Sequence, residues 1–287
     1  MSALPLRDRA ALAELSAQRF LSRRQLEELL LAESTLAAGS RTTVVKRILR
    51  RLRERGLVQV SPRLFAGLDG IPGETAYSLT PVGRRVVGSG LAEQRGRGAV
   101  RGNFLLAHAL MVAEIGLCFR RCARGKADES VLTWESDWQV AEGRSGWAAL
   151  PDARLVYAIE GRQLHAFIEA DRGTEGARFF AGKIARYLDL YHSGAWRGGL
   201  PVWPLVLTVT LTEPRARELW RSSEGVLGAR TENAALARTF RFAALAELRG
   251  EAGPFGAIWR VAGTESVRRL RDGVARNDGT TDPPCAA

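Results

Sequence analysis

Three carboxylates near the middle of the sequence have the types and spacing that hold a divalent metal ion. Glu169 and Asp171 stand two residues apart in a run, residues 164–171, that predicts a β-strand. Because side chains alternate between the faces of a strand, both acids lie on one face. Asp152 opens the preceding predicted strand and lies beside them if the two strands pair as a hairpin. Carboxylates so placed can hold a divalent metal ion, so Asp152, Glu169 and Asp171 are the candidate metal ligands and catalytic groups.

Clustered carboxylates need compensating charge, and a metal ion, a basic side chain or raised pKa values can supply it. Arg172 and Lys183 are the nearest basic side chains in the sequence. Lys183 falls in a predicted helix, residues 174–191, beside an apolar stripe formed by Phe180, Ile184, Tyr187 and Tyr191. A tyrosine nucleophile on that stripe is a weaker interpretation, because the apolar face favours packing in the core.

A purely structural interpretation of the same residues stays open. Asp171 can cap a turn in which Gly173 supplies a left-handed backbone and Thr174 starts the helix. Glu169 can then simply pair with Arg172 or Arg178. In that case the domain is an inactive core used for binding or dimerisation.

The elements that position these residues alternate between helix and strand. The sequence predicts helices at 103–121, 174–191 and 213–220, and strands at 131–140, 153–159, 164–171 and 204–211. The last strand consists almost entirely of β-branched residues and leucine, which is typical of a buried central strand.

This order and the acidic residues resemble the restriction-endonuclease-like core, an αβββαβ fold. Its signature is matched by Pro151-Asp152 and Glu169-Ala170-Asp171, except that Asp171 stands where that fold has a lysine. The resemblance implies Mg²⁺ that activates a water, with Lys183 supplied from the neighbouring helix to steady the phosphate. Glu114, on the helix at 103–121, is a further candidate ligand.

The first third of the chain has the element order of a winged helix-turn-helix. Predicted helices at 8–20, from Ser22 and from Gly39-Ser40 to Gly56 precede strands at 57–60 and 75–79, a loop between them and a helix after Thr80-Pro81. The third helix carries a polar and basic face, and we expect this face to bind double-stranded DNA through Arg41, Thr43, Lys46, Arg47, Arg50 and Arg53. A solvated basic face, or a winged helix that binds protein, is the alternative.

Charge and composition favour this division into domains. The net charge is +11, and residues 1–98 contribute 17 basic and 9 acidic side chains. We therefore predict an α/β (α+β) chain with a winged helix-turn-helix domain at 1–90, a linker at 91–102, a restriction-endonuclease-like α/β domain at 103–272 and a disordered tail at 273–287. The expected partners are double-stranded DNA and a second copy of the chain in a homodimer.

Nearly the whole chain resembles the replication-relaxation proteins of actinobacterial plasmids and integrative elements. The resemblance rests on the winged helix, LAHAL at 106–110, the Pro-Asp strand, EADRGTE at 169–175 and KIARYLDLY at 183–191. It implies a DNA partner and a role in plasmid or mobile-element replication or transfer, and it leaves metal-dependent nicking open. The alternative is a non-catalytic transcriptional or copy-number regulator whose second domain dimerises or binds.

Several classes of protein are disfavoured by the sequence. It holds no apolar run long enough to span a membrane and no signal-peptide pattern at its start, so we expect a cytoplasmic protein without a membrane partner. It also lacks the phosphate-binding glycine motifs, which argues against a nucleotide cofactor.

Overall fold

A computed structural model describes residues 4–61, 75–88, 102–174, 176–228 and 234–273. The chain divides into two compact units, Met1–Leu117 and Cys118–Ala287, and the division falls inside one helix, α5 (Gly102–Ala123). The predicted wing loop, almost all of the predicted linker and nearly all of the predicted tail lie outside the described residues.

Unit 1 contains helices around a small antiparallel sheet. Its elements are α1 (Leu6–Gln18), β1 (Leu21–Ser22), α2 (Arg23–Leu31), α3 (Ala38–Glu54), β2 (Val58–Val60), β3 (Ala76–Leu79), α4 (Pro81–Val87) and the first sixteen residues of α5. The strands pair in the order β1-β3-β2. The apolar residues of α3 that recur with helical spacing, Val45, Ile48, Leu49 and Leu52, are all buried.

Local signals explain where these helices begin and end. Ser22 caps α2 through a capping box with Gln25, as its position predicted. Gly56 follows the end of α3 with a φ of +67°. Glycine adopts this left-handed conformation with little steric penalty, so it is well suited to end a helix. Thr80 accepts a hydrogen bond from the backbone of Gly83 at 3.0 Å and caps α4. The predicted start of α3 after Gly39-Ser40 was wrong by three residues, because the helix begins at Ala38 and Ala37 forms the cap without a side-chain hydrogen bond.

Unit 2 is built on one mixed sheet of seven strands in the order β10-β9-β8-β7-β6-β5-β4. Strands β4, β5 and β6 are antiparallel, whereas β6, β7 and β8 are parallel. Its elements after α5 are β4 (Glu129–Ser136), α6 (Asp137–Ala141), β5 (Ala153–Ile159), β6 (Arg162–Asp171), α7 (Ala177–Ser193), β7 (Leu205–Thr210), α8 (Glu213–Gly228), α9 (Ala234–Ala237), β8 (Phe240–Ala244), α10 (Leu245–Arg249), β9 (Trp259–Val261) and β10 (Val267–Arg268).

The predicted elements of unit 2 are present, and three of their boundaries differ from the prediction by three residues or more. The strand predicted at 131–140 ends at Ser136, because a capping box with Gln139 starts α6 there. The helix predicted from Thr174 begins at Ala177, capped by Gly176. The helix predicted to end at 220 continues to Gly228. Every residue of β7 is buried, as its composition predicted. Among the described residues, no helix combines the length and the apolar character needed to cross a bilayer.

Candidate acidic site and basic helix face

Asp152 and Glu169 lie side by side on one face of the large sheet. Strands β5 and β6 pair with Ala153 opposite Ile168, so the residue before Ala153 lies next to the residue after Ile168. The backbone N–H of Asp152 donates to the carbonyl of Ile168 at 3.0 Å. The Asp152 carboxylate accepts a hydrogen bond from the backbone N–H of Ala170 at 2.8 Å. The hairpin therefore brings these two carboxylates together, and we call them the acidic pair.

The ammonium of Lys183 in α7 lies close to both carboxylates of the acidic pair. Its ammonium contacts Oε2 of Glu169 and lies 3.9 Å from Oδ2 of Asp152. The Glu169 side chain is 3% exposed, whereas those of Asp152 and Lys183 are 19% and 22% exposed. The pair is thus reached from solvent past Asp152 and Lys183, and two carboxylates share one ammonium.

Tyr187, one turn after Lys183, completes the surroundings of Glu169. Its buried hydroxyl donates a hydrogen bond to Oε1 of Glu169. Burial, together with the negative charge of Asp152, raises the pKa of Glu169 to about 7, against the opposing effect of Lys183. Burial and the neighbouring Glu169 raise the pKa of Tyr187 above its ordinary value, so its hydroxyl stays protonated and is a donor. The sequence predicted Tyr187 in the core and did not predict its hydrogen bond to Glu169. The sequence signal for that bond is the spacing of four residues between Lys183 and Tyr187, which puts both on one side of the helix.

Asp171 does not join the acidic pair. Its two carboxylate oxygens accept hydrogen bonds from Arg215 of α8 at 2.9 and 3.1 Å. One of them also accepts from the backbone N–H of Gly173, whose φ is +73°. Arg215 compensates the charge of Asp171 and the turn holds its side chain, and its expected role as a metal ligand stays a prediction. The suggested pairing of Glu169 with Arg172 or Arg178 is replaced by the contact with Lys183.

Glu114 has partners within unit 1. Its buried carboxylate accepts hydrogen bonds from Arg24 at 2.5 Å and from the side chain of Gln25 at 3.4 Å. Across the described part of the chain, no group of three or more histidine, cysteine, aspartate or glutamate side chains is arranged to hold a metal ion. The four expected carboxylate ligands are therefore not brought together, and the acidic pair is what remains of that set.

Helix α3 presents the expected polar and basic face to solvent. Its side chains Thr43, Lys46, Arg47, Arg50 and Arg53 are exposed, and Arg41 is half-buried. Thr43 also donates a hydrogen bond to the carbonyl of Gly39, and Arg50 lies 3.8 Å from Glu54. Arg51, which the sequence left unassigned, instead binds the buried Asp8 through two hydrogen bonds of 2.8 and 2.5 Å.

The comparison with protein families decides where this chain belongs. The family model described as Replication-relaxation matches residues 12–205. The chain belongs to the replication-relaxation family. The matched segment of this replication-relaxation protein includes the α3 face, the acidic pair, Lys183 and Tyr187, and it ends at the first residue of β7. The family indicates a role in plasmid or mobile-element replication. Searches among curated proteins and among solved structures gave no match.

Proposed function

We propose that this protein binds double-stranded DNA through α3 during the replication or transfer of plasmids or other mobile elements. One observation carries the proposal: α3 buries its apolar residues and turns a row of exposed basic side chains outward. A helix of this kind fits the major groove of B-DNA. The order of α1, β1, α2, α3, β2 and β3 supports a winged helix-turn-helix.

The roles within this face follow from residue type. Lys46, Arg47 and Arg50 are exposed on successive turns, where phosphate contacts give affinity that falls with salt. Thr43, nearer the start of the helix, is suited to a base edge, because residues in the first turns of a recognition helix reach furthest into the groove. Arg50 lies 3.8 Å from Glu54, and both side chains are exposed. Exposed ion pairs are weak, so breaking this pair to bind DNA costs little free energy.

A salt titration tests this proposal. Arg47→Ala and Arg50→Ala should each weaken binding to duplex DNA and lower the slope of log affinity against log salt by about 1. Arg9→Ala is the matched control, because Arg9 is an exposed arginine on α1. Unchanged affinity and slope in both α3 variants would remove α3 as the DNA-binding element.

We further propose that unit 2 is a restriction-endonuclease-like domain that nicks or cleaves DNA with Mg²⁺ or Mn²⁺. Support comes from the order of α5, β4, β5, β6, α7 and β7, with three antiparallel strands followed by a parallel one. It comes also from the acidic pair with its single lysine, because a carboxylate pair beside an ammonium is suited to a metal ion and a scissile phosphate.

The donor atoms present fit a Mg²⁺ ion. Mg²⁺ in proteins commonly uses one or two carboxylates, with water and substrate phosphate completing its shell. Lys183 brings one positive charge to the two carboxylates, and a divalent ion would add further compensating charge. The hydroxyl of Thr208, which pairs in register with Glu169 on the same side of the sheet, makes no hydrogen bond with any described residue. It is a further oxygen available beside Glu169.

The side chains divide the work of the proposed reaction. Asp152 and Glu169 would hold the metal ion, which when bound lowers the pKa of a water and stabilises the leaving oxygen. Lys183 binds and orients the phosphate at the solvent-facing side of the site. Tyr187 keeps Glu169 in one orientation, and the apolar residues around it exclude water.

A plasmid-nicking assay tests this second proposal. Wild-type protein with Mg²⁺ or Mn²⁺ should relax supercoiled plasmid, whereas Glu169→Gln and Asp152→Asn should fall to the level of the protein-free sample. Glu251→Gln, which changes an exposed glutamate on the same unit, should match the wild type. Equal nicking by the wild type and both site variants would refute the enzyme proposal.

A non-catalytic regulator is the second candidate function. The observation that favours it is that Glu169 already has Lys183 and Tyr187 as partners, while Arg215 compensates Asp171. Under this proposal unit 2 binds another protein chain or a second copy of itself, and its charged groups stabilise the fold. Duplex binding without any metal-dependent nicking would favour this candidate.

A further inference from the structure

We propose that one side of α7 binds an unpaired DNA nucleotide next to the acidic pair, by stacking its base on Phe179. The inference rests on the proposed role of the acidic pair in cleaving DNA, and it adds the form of DNA that is recognised. The residues that carry it are Phe179, Lys183 and Arg186, which we call the α7 stripe.

Phe179 is an exposed aromatic side chain one helical turn before Lys183. Its exposed fraction is 53%, although it stands on a helix whose neighbouring residue Phe180 is 6% exposed. Burial of a phenylalanine ring ordinarily stabilises a fold, so an exposed ring forgoes that stabilisation. A base that stacks on the ring would recover part of this burial.

The spacing of the α7 stripe puts Phe179 beside the acidic pair. Lys183 is four residues after Phe179, and Arg186 is three residues after Lys183, so the three side chains share one side of the helix. Phe179 lies about 6 Å along the helix axis from the residue whose ammonium contacts Glu169. A nucleotide whose phosphate meets Lys183 therefore has its base within reach of Phe179.

Charge on this side of α7 fits a polyanion. Arg186 is exposed and Lys183 is partly exposed. Proteins usually bind unpaired nucleic acid with positive side chains placed along its phosphate backbone and with aromatic rings between them, on which the bases stack. An unpaired strand is favoured over a duplex because a paired base keeps its faces covered by its neighbours.

The experiment compares two DNAs in EDTA, so that no cleavage occurs. One is a continuous duplex, and the other carries a short unpaired gap with 2-aminopurine in it. Full-length wild-type protein should bind the gapped DNA more tightly and change the 2-aminopurine fluorescence. Phe179→Ala should lower affinity for the gapped DNA by about five-fold to a hundred-fold and leave duplex affinity unchanged. Phe179→Trp should retain the preference, because tryptophan also offers a ring face.

Leu132→Ala is the matched control, because Leu132 is 52% exposed on β4 and its loss should leave the preference intact. Equal binding of both DNAs by the wild type, or an undiminished preference in Phe179→Ala, would overturn the inference. The duplex arm separates this result from the proposed function of α3. If the wild type does not bind the continuous duplex but binds the gapped DNA in a way that depends on Phe179, the proposed role of α3 is refuted. The proposed role of the α7 stripe is then supported.

Discussion

Replacing Glu169 by glutamine should change how the stability of unit 2 depends on pH. Burial raises the pKa of Glu169 from 4.5 to about 7 in the folded protein. Because the folded state holds this proton more tightly than the unfolded state, the protonated group contributes stability at low pH. That contribution is complete below about pH 4.5 and is lost as pH rises through about 7.

The size of the effect follows from the two pKa values. At about 1.36 kcal/mol per pKa unit, the stability of the wild type should fall by about 3 kcal/mol relative to Glu169→Gln between pH 4.5 and pH 8. Carboxylates that do not interact with Glu169 titrate alike in both proteins, so their contributions cancel in the difference. Glu251→Gln, at an exposed position, should give a difference that stays nearly constant with pH.

Urea unfolding followed by tryptophan fluorescence measures this difference in unit 2 alone. All seven tryptophans of the chain stand at position 134 or later, so unit 1 contributes no tryptophan signal. The titration is run in EDTA, because a bound cation would alter the pKa of Glu169. A wild-type-minus-variant difference that is flat between pH 4.5 and 8, or that grows in favour of the wild type as pH rises, would refute the reasoning.

Three further substitutions test other parts of the structure. Tyr187→Phe removes the hydrogen bond that stabilises the carboxylate form of Glu169. The midpoint of the stability change that Glu169 causes should therefore move upward by about one pH unit. An unmoved midpoint would argue against that hydrogen bond. Gly83→Ala would place a Cβ 2.1 Å from the backbone carbonyl of Leu57, so unit 1 should lose roughly 1–3 kcal/mol of unfolding free energy, measured by urea titration of circular dichroism; wild-type stability would show that this close approach is absent. Asp8→Ala leaves Arg51 without its buried partner, and because Arg51 is partly exposed we expect a loss of roughly 1–3 kcal/mol in the same assay, with Arg9→Ala as the neutral control.

Local rules predicted the parts of the fold that depend on neighbouring residues. The apolar spacing in α3, the cap at Ser22 and the glycine at 56 each act within one or two helical turns. The position of Asp152 beside Glu169 also followed from local pattern, because strand alternation and a short hairpin fix the register of β5 and β6.

Residues joined over long sequence distances could not be predicted in this way. Asp171 and Arg215 are 44 residues apart, and Arg24 and Glu114 are 90 residues apart, so only the tertiary fold decides that they pair. Short capping signals were also missed: Ser136 has the right type for an N-cap, yet the apolar and β-branched residues around it favoured a longer strand. The arginine partners of Asp171 and Glu114, two of the expected carboxylate ligands, come from distant helices for this reason.

The ammonium of Lys183, which lies near both Asp152 and Glu169, has a consequence for how ligands bind together. An anion that binds Lys183 moves positive charge away from the two carboxylates, and this raises the affinity of the carboxylates for a cation. By thermodynamic linkage, the affinity that a phosphate gains from a bound cation equals the affinity that the cation gains from the phosphate. We therefore expect a divalent ion and a DNA phosphate to bind cooperatively at this lysine and these two acids, each weakly when alone.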